Sequence, residues 1–126
     1  MESEAKREVL FYDSPTGMLL VDKEGRLIEI NSSFKKMLGI ENEILSVRQE
    51  ILDHSAFISS GISGLTKTCL RDRASRNVTR SYGGSRRKKK YFSIVATPVL
   101  NESCELTSVK VTVSDITAQK LAEEKL

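Results

Sequence analysis

Tyr91-Phe92-Ser93-Ile94-Val95-Ala96-Thr97 runs to Pro98, and a short polar loop later comes Thr107-Ser108-Val109-Lys110-Val111-Thr112-Val113-Ser114. Apolar residues at every second position mark strands with one face on a core. Phe92, Ile94 and Ala96 share one face of the first; Val109, Val111 and Val113 share one face of the second, with Lys110, Thr112 and Ser114 turned away. The second strand passes through Asp115-Ile116-Thr117 directly into Ala118-Gln119-Lys120-Leu121-Ala122-Glu123-Glu124-Lys125-Leu126, a run of good helix formers. Any shift of such a strand also moves the helix, so the join reads as the output end of a sensor. Asp115 is expected to accept nearby backbone N–H groups and stop the strand, and Thr117 to cap the outgoing helix. Leu121, Ala122, Lys125 and Leu126 begin an apolar stripe on that helix, and the chain stops within it, as a piece of a longer protein would.

Upstream, Met18-Leu19-Leu20-Val21 and Arg26-Leu27-Ile28-Glu29-Ile30 read as a hairpin about Asp22-Lys23-Glu24-Gly25, where Asp supplies local hydrogen bonds and Gly a positive φ. Both strands are apolar on nearly both faces, so both faces are expected to be covered. One face closes the core; the other takes an N-terminal helix over residues 2–12 (stripe Ala5, Val9, Tyr12), a second subunit, or both. Asn31 is placed to cap a helix from Ser32 to Leu38, with Phe34, Met37 and Leu38 on one side and Gly39 at its end. From Ile40 to Leu70 the pattern is weaker. It predicts one or two short helices and then a longer one, roughly Ser55 to Leu70, lying across the sheet. Ser75 to Tyr82 alternates, with Val78 and Tyr82 on one face, and Gly83-Gly84-Ser85 turns the chain into the basic strand that leads to Tyr91. Two N-terminal strands, then helices, then a three-stranded meander predict an α+β domain on one antiparallel sheet.

With 126 residues the chain can bury one core, and 39% apolar against 29% charged residues is ordinary for a globular domain. No apolar run reaches the length of a membrane span, and the first residues do not read as a secretory signal. Cys69 and Cys104 have no CxxC spacing and no companion His, which points away from a disulfide framework or metal site and toward the cytoplasm. The overall charge of +3 is uneven: Arg71 to Lys90 holds nine basic residues and one acid, a net +8, leaving −5 elsewhere. That segment could bind nucleic acid or an acidic partner. It has no interleaved aromatic platform, and a solvated hairpin guarded by its charges is the preferred reading.

Taken together, the residues resemble the PAS sensory domain with its C-terminal PAC segment, as found in sensor histidine kinases. The parts that carry the resemblance are Gly17 to Asp22, Gly25 to Asn31, Phe34, Gly39, Tyr91 to Pro98, and Asp115-Ile116-Thr117 followed by Gln119-Lys120-Leu121-Ala122-Glu123. Residues Glu41 to Arg76 match poorly, and the loop Asn101-Glu102-Ser103-Cys104-Glu105 lacks the usual Gly. The resemblance implies a five-stranded sheet in order 2-1-5-4-3, with helices on one face and flanking helices at both ends. It divides the chain into a flanking helix (1–13), the domain (14–117) and the start of a signalling linker helix (118–126).

It also implies a small-molecule pocket lined by Leu19, Val21, Leu27, Phe34, Met37, Phe92, Ile94, Ala96, Val111 and Val113, with Asp115, Ile116 and Thr117 as the relay to a C-terminal coiled coil. A side-chain-filled interior is the other reading of the same rows. The ligand is unassigned. His54, the sole histidine, precedes the long predicted helix rather than sitting in it, so haem is not expected. Cys69 stands in Lys67-Thr68-Cys69-Leu70 rather than the Asn-Cys-Arg-Phe of photoreactive flavin relatives, so such a flavin is not expected either. Cys69 reads as a small buried hydrophobe and Cys104 as a loop residue. No catalytic constellation is present, so the chain is read as a non-enzymatic module, a homodimer acting on an effector in the same protein. The effector is read as a histidine kinase, with a diguanylate cyclase or a transcription regulator as alternatives, and with no membrane contact by the domain itself.

Overall fold

The computed structural model describes residues 16–82 and 90–124. Strands β1 (Gly17–Asp22) and β2 (Leu27–Ile30) form the first hairpin. Asp22 Oδ1 accepts the backbone N–H groups of Glu24 and Arg26, each at 2.9 Å, and Gly25 turns the chain with φ +83°. Helix α1 (Ser32–Leu38) follows, capped by the Asn31 side chain and closed by Gly39 in the left-handed region. The middle of the chain forms a single 3-10 turn (Ile51–Asp53), a short helix α2 (Ser55–Ser59) and a longer helix α3 (Ile62–Asp72). Strands β3 (Arg76–Tyr82), β4 (Lys90–Leu100) and β5 (Leu106–Asp115) complete the sheet, and helix α4 (Thr117–Glu124) leaves it. The sheet is antiparallel, as the alternation predicts, and its order is the β2-β1-β5-β4-β3 that the resemblance implies.

Two boundaries differ from expectation. The long helix predicted from Ser55 to Leu70 is two helices, broken at Gly61, whose φ of +85° no helical residue adopts. Ser60 seals the break: its hydroxyl donates to the Phe57 carbonyl and accepts the Ile62 N–H. Gly64, which shares the same local pattern, lies inside α3 without interrupting it. The other difference is at Pro98, where β4 does not stop but continues to Leu100. Pairing with β3 ends at Arg76 opposite Ala96, so among the described residues the proline falls where β4 has only β5 beside it. The N-terminal helix expected over residues 2–12 and the turn at Gly83-Gly84-Ser85 lie outside the described residues, as do Lys125 and Leu126.

The register explains the core. Leu19 pairs with Val111 and Val21 with Val109, while Ile94 pairs with Val113 and Ala96 with Val111, so one apolar surface crosses three strands. Leu19, Val21, Ala96, Val109 and Val111 are fully buried there, under Leu27, Phe34, Ile51, Leu52, Phe57 and Ile62 from the hairpin and helices. Gly17 lets α1 approach the sheet: a Cβ at this position would lie 2.9 Å from the Phe34 Cα. Cys69 is buried, which pushes its thiol pKa up, and Cys104 is exposed. Among the described residues no helix is long and apolar enough to cross a membrane.

Candidate functional site

Asn31 does more than cap a helix. Its backbone N–H donates to the Met18 carbonyl, its Oδ1 accepts the backbone N–H of Met18 (2.9 Å) and of Phe34 (3.0 Å), and its Nδ2 donates to the Thr16 carbonyl (2.9 Å). The side chain is fully buried, so every one of these bonds replaces water that cannot reach it. One amide thus ties the start of β1 to the start of α1, and it holds Phe34 over the sheet. Phe34 in turn stacks on Phe57 of α2, ring centroids 5.9 Å apart.

Between α1, the α2–α3 break and the ends of β4 and β5 lies a cavity of about 560 Å³ open on one side. Of the pocket positions expected from the sequence, Phe34, Met37, Phe92, Ile94 and Val113 line it. Leu19, Val21, Leu27, Ala96 and Val111 lie deeper in the closed core and do not. The lining also includes Lys36, Leu38, Ala56, Ser59, Ser60, Ile62, Lys90 and Asp115, none of which was expected there. The signal for two of them was present: Lys90 stands two before Phe92 and Asp115 two after Val113. The alternation that puts those neighbours on the inner face, carried one step further, puts Lys90 and Asp115 there too.

Asp115 therefore belongs to the cavity and to the join at once. Its Oδ1 accepts the Thr117 backbone N–H at 2.9 Å and the Thr117 hydroxyl at 2.5 Å. Those two donors, the hydroxyl first, hold its carboxyl below the usual carboxylate range, with a smaller contribution from the Lys90 charge. The division of labour differs from expectation, because Asp115 does the capping. The Thr117 hydroxyl instead accepts the Tyr91 backbone N–H of β4 at 2.9 Å, while the Ile116 N–H donates to the Tyr91 carbonyl at 2.8 Å. Only Ile116 separates β5 from α4, and both of its flanking residues are bonded to the neighbouring structure.

His54 has a local structural task. Its Nδ1 accepts the Ala56 N–H at the start of α2, so Nε2 carries the proton and donates to Glu43 Oε1 at 2.8 Å. Its ring stands edge-on to Phe57. In the basic segment, Asp72 pairs with Arg71 (2.9 Å) and Arg76 (2.5 Å), which lowers its carboxyl pKa; residues 83–89 lie outside the described chain. The loop that lacks the usual Gly solves its turn with Cys104, which takes φ +61° while Asn101 Oδ1 accepts the N–H groups of Ser103 and Glu105.

A family model described as PAS domain matches residues 8–70, half of the chain. The chain belongs to the PAS domain family. No match was found among curated proteins. Among solved structures, this PAS domain is similar to the PAS domain of BvgS from Bordetella pertussis, at 18% identity and TM-score 0.62, covering 99% of this chain and 98% of that one. It is also similar to the PAS domain of the histidine kinase ThkA, at 23% identity and TM-score 0.56, covering 79% of this chain and 98% of that one. A third likeness is to the VqmA dimer of Vibrio cholerae, a LuxR-type receptor, at 11% identity and TM-score 0.64, covering 91% of this chain and 52% of that one. At these identities the likenesses establish the fold of the PAS domain and nothing finer.

Proposed function

We propose that this PAS domain is the sensory and regulatory module of a sensor histidine kinase, with residues 14–117 as the PAS and PAC unit and the helix from residue 118 as the start of a signalling linker. A small molecule enters the cavity beneath Phe92, Ile94 and Val113, and the Asp115-Ile116-Thr117 join passes the resulting shift of β4 and β5 into a C-terminal coiled coil. The observation that carries this reading is the join: one residue between strand and helix, with the helix start bonded to the adjacent strand at Tyr91. A flexible linker at this point would lose a displacement that this geometry transmits. Dimerisation engages the N-terminal segment and the outer face of the first hairpin, where Met18, Leu20 and Ile28 are half-buried apolar residues. The setting is cytoplasmic, and the output belongs to an effector in the same protein.

Native mass spectrometry of the gently purified chain tests the ligand, with an added mass of a few hundred daltons as the expected result. Asp115→Ala tests the relay. The variant melts as the parent does but uncouples kinase activity from ligand; a variant that still responds to ligand in the full protein removes the basis of this reading. A transcription regulator is the second reading, favoured by the likeness to the LuxR-type receptor dimer. Autophosphorylation on ATP, present or absent in the full protein, separates the two.

A further inference from the structure

The cavity has an uneven chemistry. Its body is apolar, from Met37, Ile62, Phe92, Ile94 and Val113, while two lysines of different elements, Lys36 of α1 and Lys90 of β4, stand among its lining residues. Neither lysine has an ion pair among the described residues, although α1 and β4 place both beside the same apolar surface. Asp115, the one carboxylate in the lining among the described residues, has its Oδ1 already occupied by the Thr117 hydroxyl and N–H. Two ammonium groups, Lys36 and Lys90, against the single carboxylate of Asp115 leave the described lining with a net positive charge for an occupant.

We propose that the cavity takes a small amphipathic anion, an apolar body ending in a carboxylate, with Lys36 and Lys90 as its counter-charges. The inference rests on the ligand-sensing reading above and deepens it. Lysines on flexible stems offer point charges suited to a single carboxylate, whereas among the described residues no arginine fork or glycine-rich nest that would select a phosphate lines the cavity. The position of Lys90 ties the anion to the output. Lys90 also acts on Asp115, the residue that caps α4, so a carboxylate that draws Lys90 toward itself changes the charge seen at the join.

The test is isothermal titration calorimetry of the purified chain with octanoate and, separately, with 1-octanol, supported by amide chemical-shift mapping to confirm that both occupy the cavity near Phe92 and Val113. Octanoate is expected to bind at one per chain and about fivefold more tightly than 1-octanol. Lys36→Gln and Lys90→Gln should each weaken octanoate by about threefold to fivefold and leave 1-octanol unchanged. Both lysines are exposed, so the variants are expected to fold. Lys110→Gln, on the opposite face of the sheet, removes the same net charge and should change neither ligand. If 1-octanol binds as tightly as octanoate, or if the lysine variants leave octanoate binding intact, the anion assignment is overturned while the cavity still stands as a ligand site. If neither compound binds, the assignment is overturned, and native mass spectrometry that also finds no retained molecule removes the ligand-sensing reading with it.

Discussion

Strand β5 has two ends, and they are built differently. Near its start the inner face at Val109 and Val111 is dry, fully buried beside Val21, Leu19 and Ala96. Near its finish the same face, at Val113 and Asp115, borders a cavity. The reason lies in what covers each end. Helix α3 packs on β5, and the 3-10 turn closes the neighbouring hairpin turn, so closely that a Cβ on Gly25 would meet Leu52. At the second, the break at Gly61 ends α2 and restarts the chain as α3, and α1 is held at a set height by Gly17 and Asn31. One strand thus joins a rigid anchor to a space that can be filled.

That contrast can be tested by where side chains are indispensable. Leu19→Ala at the closed end should cost about 3 kcal/mol, because its neighbours cannot collapse into the void, while Phe92→Ala at the open end should cost about 1 kcal/mol. Urea unfolding of the two variants measures both, and equal losses would break the comparison. Asn31→Ala is the next largest, about 2 kcal/mol, since it strands buried donors and acceptors of β1 and α1 that water cannot reach. Its expected accompaniment, faster amide exchange in α1 than in α3, would show that the loss is local to the cavity roof.

Smaller again is Cys104→Gly in the β4–β5 loop, beyond the dry end. It relieves a left-handed backbone at a residue with a Cβ and should stabilise the chain by about 0.5–1 kcal/mol in the same unfolding assay. The smallest effect on global stability is at the join, where it is local and depends on pH. The Asp115 carboxyl is held below its ordinary range in the fold, so its contribution is present at neutral pH and is lost as the pH falls through the depressed value. Protection of the α4 amides, measured against the intrinsic exchange rate at each pH, should therefore fall on acidification in the parent and hold constant in Asp115→Asn, which keeps the acceptor without the titration. A parallel response in both would remove Asp115 as the group that fixes the helix start.

Much of this was legible because it is local. A turn residue, a cap and a glycine three to eight positions apart define the first hairpin and α1, and strict alternation defines β4 and β5. Alternation gives the face of a residue but not its depth. Ala96 and Phe92 occupy equivalent phases of one strand, yet the first is sealed in the core and the second borders the cavity. The break at Gly61 was hidden because Gly64 offers the same local signal, and only tertiary contacts decide which glycine leaves the helix: Ser63 Oγ donates to the Leu52 carbonyl and draws the start of α3 onto the 3-10 turn. The second partner of the Thr117 hydroxyl, the Tyr91 backbone N–H, is 26 positions away and no local pattern names it.

Pro98 has a consequence beyond its own strand. Past Ala96 no described strand pairs with the outer flank of β4, and the segment there ends in Val99 and Leu100, which are 38% and 46% exposed. An open strand border carrying greasy side chains invites stacking by a neighbouring molecule, and the imide nitrogen of the proline withholds one of the rungs such an intruder would need. The residue that looked like a stop signal thus serves as a guard against fibre-like growth along this margin of the sheet.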